Sequence, residues 1–214
     1  MSAELLAICA GQPAPLPDGK LSAIDKQSLE GLARIGRLGL VGDAQVDRKH
    51  HGGEHMAVHH YAQDHYAYWR GELPGVTRLS QPGAFGENLH AAGLTENEVL
   101  IGDRFRVGTT LLEVSMGRQP CSTLARHFAQ PDMVKRIVAN GRCGWYYRVL
   151  EEGYAQAGDR FEIVERGTGG WSVARAFALL FEPKRKPDPA EIEDFLALPA
   201  LAPVWRKKAE AKLG

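Results

Sequence analysis

The sequence predicts a mainly-β fold, with helices interspersed among its strands and a small three-helix region at the C-terminal end. Three observations carry this. Glycine makes up 24 of 214 residues, about 11% against a usual level near 7%, and so many glycines supply many tight turns. Short apolar or alternating runs, each bounded by turn residues, recur through the first two-thirds of the chain. After residue 166 the pattern switches to helical spacing with capping residues at the helix starts.

Taken in order, Leu5-Leu6-Ala7-Ile8-Cys9-Ala10 is a short apolar run and reads as a strand. Leu38-Gly39-Leu40 runs into Val41-Gly42-Asp43, a turn signal. Between Val99 and Val107, Phe105 and Val107 alternate with Arg104 and Arg106; Gly108-Thr109 follows, then Thr110 to Ser115, which together read as a hairpin. Tyr146–Leu150 and Arg160–Val164 are two further strands. Gly-Asp-Arg-Phe occurs at 102–105 and again at 158–161, each time at a strand entrance, as recurring turn chemistry. Helices are expected at Ala62–Arg70, at Ser122–Phe128, and at Pro131–Asn140, where Pro131 suits a first turn and Gly141 a C-terminus.

Gly167-Thr168-Gly169-Gly170 is a linker that divides the chain into residues 1–166 and 171–214. Beyond it, Ser172 caps a helix with Val173, Phe177 and Leu180 on one face. Pro183 to Pro187 breaks that helix, and Asp188-Pro189-Ala190-Glu191 starts the next with a cap, a first-turn proline and an acid. Pro203 opens a last helix carrying Val204, Trp205 and Leu213. Three short helices are too few to stand alone. They are expected to dock on the β region or on a second subunit of a homodimer.

Composition narrows the function classes. Lys plus Arg and Asp plus Glu balance at 26 each. A duplex-binding protein carries a basic excess, so no nucleic-acid partner is expected. The same balance argues against an anionic membrane, and no apolar run approaches the roughly 18 residues of a membrane span. Met1 to Leu5 lacks a positive stretch, and Gln12-Pro13 comes too early for a secretory signal, so a cytoplasmic location is expected. The three cysteines, Cys9, Cys121 and Cys143, are odd in number and include no Cys-x-x-Cys pair, which excludes a disulfide framework and a four-cysteine zinc site.

Three segments stand out chemically. Six of the eight histidines lie between His50 and His65. His55 and His59, four apart, would share one face of a helix, which points to a metal site. Met56 to Tyr61 fits a strand equally well, which would send His59 and His60 to opposite faces. His-Glu-x-x-His is absent, and Gly52-Gly53 argues for a loop just before. The cluster is therefore a zinc site, or a set of histidines that line a polar pocket or are held by backbone bonds.

The second segment is Arg118-Gln119-Pro120-Cys121-Ser122-Thr123. It places Cys121 where a turn enters a helix. The helix terminus and Arg118 both favour the thiolate, which is a nucleophile and a soft metal ligand. The competing reading is a small buried side chain, and packing is the expected role of Cys9 and Cys143. The third segment is Pro82-Gly83-Ala84-Phe85-Gly86-Glu87-Asn88-Leu89, where glycines allow close backbone approach to a ligand and Asn88 can both donate and accept. A structural turn explains this segment as well.

Taken together, these segments resemble the MOSC family, named for the C-terminal part of molybdenum-cofactor sulfurases. The resemblance is ordered along the chain. It runs from Gly39 to Gln45, through Asp47, His51-Gly52-Gly53 and Ala57-Val58, to Phe85-Gly86-Glu87-Asn88-Leu89 and Ile101-Gly102-Asp103. It continues with Arg118, Pro120 and Cys121, then Gly144-Trp145, Arg148-Val149-Leu150 and Gly158-Asp159. The helical tail is similar to the extension of one bacterial branch, the 6-N-hydroxylaminopurine resistance proteins.

The resemblance implies a β-barrel-like core and binding of the molybdenum cofactor, a molybdopterin, with Cys121 as metal ligand. It places Lys26, His51, Asn88 and Arg118 against the cofactor. It also implies reduction of a small N-hydroxylated substrate, such as a base analogue, in a detoxification role, with electrons from an external donor protein. His59, His60 and Glu87 are the candidates for proton delivery, and the sequence does not choose among them. Two other readings stand beside this one: a non-catalytic carrier of molybdopterin or sulfur on Cys121, and a zinc-dependent hydrolase built on the His50–His60 cluster.

Overall fold

The computed structural model describes residues 3–46 and 52–213. Seven strands close on one another: β1 (Ala3–Ala10), β2 (Val58–Ala62), β3 (Leu89–Ala92), β4 (Arg104–Val107), β5 (Thr110–Gly117), β6 (Trp145–Glu151) and β7 (Arg160–Glu165). Their order around the barrel is β7-β4-β5-β6-β2-β3-β1, and β1 closes it by pairing back to β7. All these pairings are antiparallel except β2 with β3. A parallel neighbour needs a long crossover. Residues 63–88 supply it and carry helix α1 (Tyr66–Glu72).

A barrel this narrow must be filled with side chains. The β4–β5 hairpin sets Phe105 opposite Leu112 and Val107 opposite Thr110, as the alternating run predicts. On β6, Trp145, Tyr147 and Val149 are buried while Tyr146 and Arg148 between them are only partly so. His60 stacks on Trp145 at 4.0 Å between ring centroids and lies 5.2 Å from Phe161, which in turn packs on Phe105. Short strands at Ala33–Gly36, Gly39–Leu40 and Gly153–Ala155 form a small second sheet, and Gln27–Ser28 pairs with the end of β1.

Two local expectations need correction, and one open alternative is decided in favour of a strand. The stretch expected to be helical from Ala62 begins with Ala62 as the last strand residue, and the α-helix starts at Tyr66. The expected Pro131 start shifts to Met133, in helix α3 (Met133–Asn140), which Gly141 ends in the left-handed conformation at φ 71°. His55 and His59 share no helix face. His55 sits in a single turn, Glu54–Met56, and His59 on strand β2.

Helix α2 (Ser122–His127) follows the β5 exit. The tail forms α4 (Val173–Phe181), α5 (Pro189–Leu196) and α6 (Pro203–Glu210). Ser172 Oγ accepts from Arg175 N and Asp188 Oδ1 from Ala190 N, so both capping residues act as their positions predict. Trp171, Val173, Phe177, Phe195 and Trp205 are buried in the same apolar cluster as the barrel. The tail therefore docks on the β region through a continuous core. On α6, Trp205 faces inward while Val204 stays exposed, as does Leu213 just beyond its end. No helix among the described residues is long and apolar enough to cross a membrane.

Candidate functional site

One cavity of about 160 Å³ gathers Lys26, His59, Asn88, Arg118 and Cys121, with Asp43 and Tyr146 beside them. Strand β2 supplies His59, the Phe85–Asn88 turn covers one side, and the exit of β5 supplies Arg118 and Cys121. Gly86 makes the turn possible. Its φ is +74°, and a Cβ there would lie 2.9 Å from Ile24 Cγ1, so only glycine lets the chain pass this close.

Asp43 organises the cationic side. Its Oδ2 accepts from Lys26 Nζ at 2.6 Å and from Asn88 Nδ2 at 2.9 Å, and its Oδ1 accepts from Gly11 N at 2.8 Å. Burial pushes the Lys26 ammonium pKa down, and the Asp43 charge opposes that. Asn88 also donates to the Cys9 carbonyl and accepts from His59 N, which ties β1, β2 and the Asp43 turn together.

Arg118 is buried, and its backbone N–H donates to the Gly144 carbonyl at 2.9 Å. Its Nη1 has no hydrogen-bond partner among the described residues. A buried guanidinium donor left unmet is costly, which points to an anionic or oxygen-rich ligand. Tyr146 borders the same space. Burial raises its pKa, and the Arg118 charge and hydrogen bond pull it back. His59 is fully enclosed. Burial, then the Arg118 charge, pushes its pKa well below the usual value, against a hydrogen bond to the Gly86 backbone. Its Nε2 also lacks a partner among the described residues. The ring is thus neutral at pH 7.

Cys121 is half-buried and stands at the N-cap of α2, with extended backbone and its carbonyl accepting from Leu124 N at 3.1 Å. Its side chain makes no capping bond and borders the cavity. By contrast Cys143 is fully buried and donates to the Gly144 carbonyl at 3.1 Å. Burial raises the Cys9 thiol to about 12.

Two sequence candidates are not brought to the cavity. His60 points into the barrel, stacked on Trp145, with Nδ1 3.2 Å from the Tyr147 hydroxyl. Glu87 is enclosed behind the turn and accepts from the Tyr66 hydroxyl, Gly83 N and Phe85 N, with His90 Nδ1 at 3.0 Å. Burial alone would raise its pKa, but His90 and the other donors hold it below the ordinary carboxylate value. Glu87 therefore braces the Phe85–Gly86 turn. His51, with Asp47 and His50, lies outside the described residues. Among the described residues no three His, Cys, Asp or Glu side chains converge to hold a metal on their own.

Sequence reasoning missed roles for Asp43 and Tyr146. The available signal for Asp43 was chemical: a lysine destined for burial needs a nearby carboxylate. No spacing rule links positions 26 and 43.

A family model described as MOSC domain matches residues 47–162, and one described as YiiM-like, 3-alpha helix domain matches residues 171–213. Protein YiiM of Escherichia coli K12 is 41% identical over 159 residues, which is 74% of this chain and 71% of that protein. A protein named reductase from Gibberella moniliformis is 41% identical over 153 residues, 71% of this chain but only 27% of that much longer protein. The crystal structure of YiiM from Geobacillus stearothermophilus superposes with a TM-score of 0.84 at 32% identity, covering 99% of this chain and 100% of that one. The chain belongs to the MOSC family, in its YiiM-like branch with the three-helix domain.

Proposed function

We propose that this protein is a molybdenum-cofactor-dependent reductase of small N-hydroxylated compounds, including base analogues such as 6-N-hydroxylaminopurine. The observation that carries the reading is the pairing, in one cavity, of a half-buried cysteine with an enclosed arginine whose Nη1 is unmet among the described residues. A thiolate suits a soft metal, and a guanidinium suits phosphate or other oxyanions. The residues present thus fit a phosphorylated pterin carrying a metal. The match to a MOSC domain and the reductase-named relative support the same reading.

Cys121 would hold the metal. Arg118 and Lys26 would meet the anionic part of the cofactor, with Asp43 holding Lys26 in place. Asn88 fixes the wall between them. When bound, the cofactor supplies a two-electron reduction, in which R–NH–OH, two electrons and two protons become R–NH2 and water. The electrons come from an external donor protein. His59, which borders the cavity, would pass a proton toward the departing oxygen.

The test is turnover. Protein purified from a host that makes molybdopterin is given dithionite-reduced viologen dye and an N-hydroxylated base, and the amine is measured. The expected result is one amine per two electrons in the wild type, and loss of turnover in Cys121→Ser. Bound cofactor without amine formation would mean a carrier and would overturn the reductase reading.

A further inference from the structure

We propose that the C-terminal three-helix region is a working part of the site: through Trp205 it fixes the end of β5, and so sets where Arg118 stands. The inference rests on the reading of Arg118 and Cys121 as binding residues, but its structural half can be measured without any ligand.

Gly117 is the last residue of β5 and the neighbour of Arg118. A Cβ at Gly117 would meet Trp205 Cη2 at 2.6 Å, Val173 Cγ1 at 3.0 Å and Trp205 Cζ2 at 3.1 Å. Gly117 is absent from the positive-φ positions. Glycine is therefore required here by the tail's approach and not by backbone geometry. Trp205 is completely buried, and its ring is wedged between Phe181 at 5.8 Å and Phe195 at 6.5 Å. Its indole N–H has no partner among the described residues, so shape alone holds the ring.

Two residues earlier the tail grips the same strand, as Ala202 N donates to the Ser115 carbonyl at 3.0 Å. From the barrel side, Ser115 Oγ reaches the His55 carbonyl at 2.6 Å and the Tyr146 carbonyl at 3.1 Å, and Arg118 N bonds to Gly144. The strand end is thus clamped between barrel and tail immediately before the chain turns through Pro120 to Cys121. Arg118 is buried, and among the described residues its Nη1 has no partner to hold it in place.

The test uses full-length protein and three variants. Gly117→Ala forces the tail and strand apart. Gly117→Ala combined with Trp205→Phe restores the space with a smaller ring. Ile192→Ala, on the buried face of α5, weakens the tail without changing Gly117, Val173 or Trp205. Hydrogen exchange over residues 116–123 is read on cofactor-free protein, and molybdenum per chain on protein from a molybdopterin-producing host. The melting temperature is recorded for each.

Gly117→Ala is expected to speed exchange in that peptide at least about tenfold and to lower metal content severalfold, with Trp205→Phe restoring both. Ile192→Ala is expected to lower the melting temperature with both readouts near wild type. Wild-type exchange and metal in Gly117→Ala would overturn the proposal. Equal losses in Ile192→Ala at a matched melting temperature would also overturn it, by reducing the tail to general stabilisation. If the wild type itself carries no molybdenum, the functional reading fails, and the exchange pattern alone decides the positional one.

Discussion

Strand β2 presents two adjacent histidines to two unlike regions, the filled barrel interior and the cavity on its outer face. Both rings are fully enclosed, both have pKa values pushed well below normal by burial, and both leave Nε2 unmet among the described residues. Their neighbours differ. His60 sits among Trp145, Tyr147 and Phe161, with its Nδ1 held by a tyrosine hydroxyl. His59 borders a space shared with Arg118, Lys26 and Cys121. Burial and a depressed pKa therefore do not tell the two apart. A cavity and a charged neighbour with unmet hydrogen-bonding capacity do.

The largest effect on that contrast is expected from Arg118→Met, which keeps bulk but removes the unmet donor. Cofactor content should fall at least about tenfold, the loss of a charge-assisted bond of roughly 1.5–3 kcal/mol. The melting temperature should hold or rise, because a buried charge with no ion-pair partner among the described residues is removed with it. A large drop in melting temperature at full cofactor content would place Arg118 with the core residues.

The two histidines should then separate in opposite directions. His60→Ala leaves a void in an aromatic core and should cost about 3 kcal/mol of unfolding free energy in denaturant titration, with turnover per bound molybdenum unchanged. His59→Gln should cost less stability and lose turnover. Reversed outcomes would exchange the roles of the two faces.

The smallest effect is on pH dependence. Both histidines have folded pKa values below that of the unfolded chain, near 6.5. The unfolded state therefore takes up protons first as pH falls. Their contribution is complete above about pH 6.5 and is lost below it, by up to about 1.4 kcal/mol per pH unit for each ring. His60→Phe should remove one proton's share of that slope just below pH 6.5. An unchanged slope would mean that His60 titrates normally.

These contrasts also explain which parts of the molecule were legible in the sequence. The β4–β5 hairpin was, because Phe105 and Val107 alternate with arginines that reach solvent. The tail helices were, because Ser172, Asp188 and Pro189 act locally. Strand β2 remained ambiguous because it is buried on both faces, so no alternation survives. Strand β3 was missed because it is four residues long and carries His90, which is held by Gln63 from a distant turn and by Glu87 just before the strand. Within the site, Arg118 and Cys121 could be read from a strand-turn-helix exit. Asp43 could not, because its role depends on a lysine that only the fold brings to it. Glu87 has the composition of a proton donor, yet its oxygens are taken up by donors that sequence spacing does not reveal.

The account rests on Cys121 holding the metal in this cavity, and metal content tests that most directly. Wild type, Cys121→Ser and Cys143→Ser would be purified from the same molybdopterin-producing host and measured for molybdenum and pterin per chain, with melting curves as the control for folding. The account predicts stoichiometric molybdenum in the wild type and in Cys143→Ser, and none in Cys121→Ser at a near-unchanged melting temperature. Equal molybdenum in Cys121→Ser and the wild type would contradict it.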